Sequence, residues 1–78
     1  MNDTLMTWKN AQERFVTLRN ECRVEWAKCF LSSDKKTDAQ KKADADVKTS
    51  DLRLQRDLAE VDASVAWQQY MMQNEQGQ

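Results

Sequence analysis

The chain of 78 residues has no proline and no histidine, and its one glycine is Gly77. Without proline or an internal glycine, no backbone breaker stands between Leu5 and Gln76. The same lack argues against β-hairpins, whose tight turns want Gly or Asn-Gly pairs. Without histidine the chain lacks the commonest general acid–base and a principal metal ligand. Its two cysteines, Cys22 and Cys29, have no partners at metal-ligand spacing. No glycine-rich loop is present to cradle a phosphate. The expectation is a chain that is not an enzyme, with no metal, no cofactor and no catalytic residue. On one helix, Cys22 and Cys29 place their Cα atoms roughly 10.5 Å apart, beyond the about 7 Å that a disulfide spans. They read as small core residues with free thiols. Free thiols, with no leader segment and no membrane-spanning run, point to the cytoplasm. The Asn2-Asp3-Thr4 triplet is therefore not read as a glycosylation signal.

Charge of one sign is also lacking. Twelve basic residues meet thirteen acidic ones, for a net charge of −1. A nucleic-acid binder would show a basic face or a high pI, whereas the pI here is about 5.3. Lys35, Lys36, Lys41 and Lys42 form the one basic cluster, diluted by Asp34, Asp38, Asp44 and Asp46. Contact with nucleic acid through that cluster is the minor alternative. Polar faces of mixed sign also disfavour binding to a membrane surface. The mean hydropathy of −0.92 is low, but three tryptophans, two phenylalanines and a clear apolar periodicity argue against disorder.

The periodicity is helical. Leu5, Trp8, Ala11, Phe15, Leu18, Cys22, Trp26 and Cys29 follow three-and-four spacing and define a first helix over about 4–31, with Asp3 or Thr4 as its cap. Ser32-Ser33-Asp34-Lys35-Lys36 is the clearest loop candidate. Thr37-Asp38-Ala39-Gln40 reads as a capping box that opens a second helix. That helix is expected over about 38–74, followed by a frayed tail over 75–78. Thr49-Ser50-Asp51 is the one place where side chains compete for backbone hydrogen bonds. A three-helix chain that breaks there stays open as the alternative.

The second helix carries two apolar stripes. Val47, Leu54, Leu58, Val61, Val65 and Met72 share one face; Leu52, Ala59, Ala63, Ala66 and Tyr70 share another, with Trp67 at its margin. Folding the helices antiparallel predicts that the Val/Leu stripe packs on the first helix. Trp26 then faces Ala43, Cys22 faces Val47, Phe15 faces Leu54, Ala11 faces Leu58 and Trp8 faces Val61. Leu18 falls against Ser50 or Asp51, a weak layer. The Ala-rich stripe and the aromatic end are left over, with Met1 and Met6 as partial cover. The predicted interface residues for an oligomer or a partner are Leu52, Ala59, Ala63, Ala66, Trp67, Tyr70 and Met71.

A chain this short is marginal as a monomer, so self-association is expected. The expected fold is an all-α antiparallel two-helix hairpin, coiled-coil-like, assembling as a homodimer into a four-helix bundle. Aromatic and Met-rich patches also suit a different protein partner. A structural role, with the assembly itself as the product, is the runner-up.

Glu25-Trp26-Ala27-Lys28-Cys29-Phe30-Leu31, the polar turn through Thr37, Ala43-Asp44-Ala45-Asp46-Val47 and Asp51-Leu52-Arg53-Leu54 resemble small helical-hairpin accessory proteins of tailed bacteriophages. The resemblance spans roughly residues 11–66 and departs in its high tryptophan content. It implies a phage-encoded accessory protein in the bacterial cytoplasm, near replication or recombination functions or directed against a host factor. It carries over no functional residue.

Overall fold

A computed structural model describes residues 3–76, and describes side-chain burial for 3–73. The described residues form three helices: α1 (Asp3–Ser32), α2 (Asp38–Lys48) and α3 (Ser50–Gln76). The all-helical expectation holds. The single second helix does not, because the three-helix alternative at Thr49 is what forms. Asp3 and Thr4, the expected caps, both lie within α1, and residues 75 and 76 close α3, while Met1 and the rest of the expected frayed tail lie outside the described residues.

Helix α2 starts as its sequence dictates. Thr37 is extended, and its hydroxyl accepts the Gln40 amide N–H at 3.2 Å. The Gln40 side chain reaches back to the Lys36 amide at 3.3 Å, one residue earlier than a regular capping box. The preceding turn is tied down by Asp44. Its carboxylate accepts the Ser33 hydroxyl at 3.0 Å and pairs with Lys48 at 3.1 Å. Because Ser33, just past the end of α1, meets Asp44, the first turn and a half of α2 extends beyond α1.

The junction at Thr49 is a deformation rather than a loop. Thr49 N–H still reaches the Ala45 carbonyl at 3.0 Å, and Arg53 N–H reaches the Thr49 carbonyl at 2.9 Å. The buried Thr49 hydroxyl also donates to the Ala45 carbonyl, at 2.7 Å. This back-bonding perturbs helices locally. The Asp46 carbonyl in the last turn of α2 accepts instead from the Arg53 guanidinium at 2.9 Å. A cation at a helix C-terminus also opposes the negative end of its dipole.

Helix α1 runs antiparallel to α2 and α3, and the Cα trace measures 60 × 15 × 15 Å. The pairing differs from the predicted one. Trp26 meets Asp46 rather than Ala43, through an indole N–H bond of 2.8 Å. Trp8 meets Trp67 and Tyr70 rather than Val61, with ring centroids at 4.8 and 6.3 Å. Thr4 donates to Gln73 near the open end.

The face presented to α1 also differs. Ala45, Ala59, Ala63 and Ala66 are buried, together with Leu18 and Cys22 of α1. The inner seam of α2 and α3 is therefore Ala45, Thr49, Leu52, Arg56, Ala59, Ala63, Ala66 and Tyr70, a regular alternation of four and three. The reason is volume. Trp8, Phe15, Leu18 and Trp26 make α1 bulky, and interdigitation at native density wants small residues opposite large ones. Set against the Val/Leu stripe, the same aromatics would hold the helix axes apart, since interaxial distance follows the side chains at the contact.

Candidate interaction surface

The fold exchanges the roles of the two stripes. Ala59, Ala63 and Ala66 are 2%, 5% and 5% exposed, and they are covered within the chain. Leu52 and Tyr70 are half-buried along the same seam. As residues of a free interface, these five are corrected: α1 already occupies them. Trp67 and Met71 keep an exposed position.

Trp67 lies at the open end, where Trp8, Trp67 and Tyr70 form a closed triangle of rings. The Trp67–Tyr70 centroids are 5.8 Å apart, tilted by 43°. Such offset and tilted pairs are favourable beyond their area alone. A shallow groove beside them, about 440 Å³, is lined by Trp8, Gln12, Phe15, Glu60, Ala63, Ser64, Trp67 and Gln68.

The middle of the rod carries a second cavity, of about 280 Å³, bounded by Cys22, Arg23, Trp26, Arg53 and Arg56. Arg56 lies in the inner seam but turns its guanidinium out to Asp57, at 2.9 and 3.0 Å, as a long amphipathic side chain does. Arg53 instead reaches back to the Asp46 carbonyl. The Nε of Arg53 is buried without a partner. At the turn, the Lys41 ammonium sits 5.9 Å from the Phe30 ring centre, and Phe30 stacks on Trp26 at 5.4 Å. Both cysteines are free thiols, Cys22 buried and Cys29 half-buried.

The surface without a neighbour is the Val/Leu stripe. Val47, Leu54, Leu58, Val61 and Met72 are each 57–72% exposed, and Val65 is 47% exposed. With Asp51 and Gln68 they follow the same four-and-three alternation as the inner seam, displaced by two residues. Two residues are about 200° of helical rotation, so this outer seam points away from α1. The largest apolar patch on a monomeric protein, typically about 300–600 Å², is often a functional surface.

The sequence contained the signal for this assignment. The inner alternation runs unbroken from Ala45 to Tyr70 once Thr49 and Arg56 are admitted to it. Both are polar, and the apolar pattern alone passes over them.

No family model, curated protein or solved structure matches the chain. Among the described residues, no group of acidic or thiol side chains is placed to hold a metal ion. No described helix is long and apolar enough to cross a membrane.

Proposed function

We propose that the chain is a non-enzymatic protein-interaction module. It is a helical hairpin that packs its alanines between its arms and offers the outer seam of α2 and α3 to a helix of another polypeptide. The observation that carries this reading is the exposure of Val47, Leu54, Leu58, Val61, Val65 and Met72 in one coiled-coil repeat. Apolar residues at that spacing gain stability only against another helix, because α1 lies on the opposite side. The resemblance to phage accessory proteins extends the proposal to a phage-encoded protein that binds or inhibits a bacterial or phage protein.

The test is retention of proteins from a bacterial lysate by the immobilised chain, by its Leu58→Glu variant and by a Lys9→Glu control on the exposed face of α1. Proteins held by the parent and the control but released by Leu58→Glu support the outer seam. The same proteins held by Leu58→Glu overturn it.

A further inference from the structure

We infer that the outer seam binds a second copy of this chain, with the two seams antiparallel. The inference rests on the reading of the outer seam as the binding surface, and it names the occupant.

In heptad terms, Asp51, Leu58, Val65 and Met72 hold the a positions, and Val47, Leu54, Val61 and Gln68 hold the d positions. An antiparallel pair sets a against d. Leu58 then meets Val61 of the second copy, and Leu54 meets Val65. These contacts form a central block of four apolar layers under a two-fold axis, with Val47 against Met72 closing each end. The polar layer, which the two-fold axis repeats, places the Asp51 carboxylate against the Gln68 amide, a hydrogen-bonding match. A parallel pair would set Asp51 on Asp51 inside the interface, two like charges in a poorly solvated layer.

The flanks agree. In a parallel pair, Asp57 of each copy would face Asp62 of the other, which repels. In the antiparallel pair Asp57 lies beside Ser64 and Asp62 lies beside Gln55, with no like-charge contact. Charge therefore rejects one orientation twice and the other not at all. The seam spans 47–72, about 38 Å of helix, and its exposed side chains with their flanks approach the roughly 800 Å² per partner of a standard interface. Because the inner and outer seams lie on opposite sides, the assembly is a layer of four helical arms, α1 and the α2–α3 arm of each copy, with the two α1 helices outermost. It is not a square bundle closed over the alanines.

The test uses the full chain. Sedimentation equilibrium should report a dimer, and Leu58→Glu should weaken it at least about 100-fold with the far-UV helical signal kept. Orientation is read from cysteine cross-linking with peptide mapping. Mixed Leu54→Cys and Val65→Cys chains should form the 54–65 disulfide across copies. Leu54→Cys alone should not join itself, because the two sites lie roughly 16 Å apart along the axis while a disulfide needs Cα atoms within about 7 Å. A monomer at about 100 µM, a dimer indifferent to Leu58→Glu, or a 54–54 bridge overturns the inference. A monomer that still retains lysate proteins through Leu58 overturns only the second copy. Dimerisation and retention that both ignore Leu58→Glu overturn the outer seam as well.

Discussion

Placing the same charge two residues apart on α3 should give opposite outcomes. Ala63 is 5% exposed against α1, whereas Val61 is 59% exposed on the far side. Ala63→Glu forces four extra heavy atoms, three of them a charged carboxylate, into a close-packed seam. Combining overpacking with a partly desolvated charge gives a loss of about 3 kcal/mol, at the low end of the cost of an uncompensated buried charge. For a chain of 78 residues the whole folding free energy is about 4–12 kcal/mol, so this loss is a large share of it. At about 4–8 °C per kcal/mol for a domain of this size, the midpoint falls by roughly 12–24 °C. Val61→Glu changes a surface position and should stay within about 0.5 kcal/mol for the isolated chain. The assay is thermal melting followed at 222 nm at low micromolar concentration, where association adds least to the apparent stability. An Ala63→Glu chain that melts with the parent while Val61→Glu collapses would show that the Val/Leu stripe faces α1 after all.

Two further outcomes follow from the hydrogen bonds that fix the register. Trp26→Phe keeps a large ring against Phe30 but removes the N–H that Asp46 accepts. It should cost about 0.5–1.5 kcal/mol in urea unfolding, and the loss should vanish in an Asp46→Ala background. An equal loss in both backgrounds would place Trp26 against some other group. Lys48, and then the Ser33 hydroxyl, hold the Asp44 carboxyl below its ordinary value, and Asp44 in turn raises Lys48. A lowered carboxylate pKa stabilises the fold above the unfolded value and loses that contribution as pH falls through the folded one. The raised Lys48 contributes below its ordinary value and loses that as pH rises through the raised one. Asp44→Asn should therefore flatten the acid limb of a stability–pH profile below about pH 4, and an unchanged acid limb would show that the turn is not held by this carboxylate.

The helical class was legible from residues alone. The absence of proline and internal glycine, the three-and-four spacing from Leu5 to Cys29, and Thr37 with Gln40 at the start of α2 are local signals. Each acts within one or two turns of backbone, so the chain need not know its neighbours to obey them. The two stripes were legible for the same reason. Their separation by about 200° is a property of one helix.

Local rules left Thr49 open, and the contacts around it decided the outcome. Its hydroxyl bonds the Ala45 carbonyl while Arg53 takes the Asp46 carbonyl, an arrangement that involves three turns at once. The choice of which stripe meets α1 is further from local. Hydrophobicity favours the Val/Leu stripe, since valine and leucine have more apolar surface to bury than alanine. Packing reverses that preference, because α1 already supplies Trp8, Phe15, Leu18 and Trp26, and bulk on one helix requires small residues on the other. Helical periodicity therefore determined that this protein has two seams. Only the fit of side-chain volumes between antiparallel arms decided that the alanines lie inside and that Val47 through Met72 face outward.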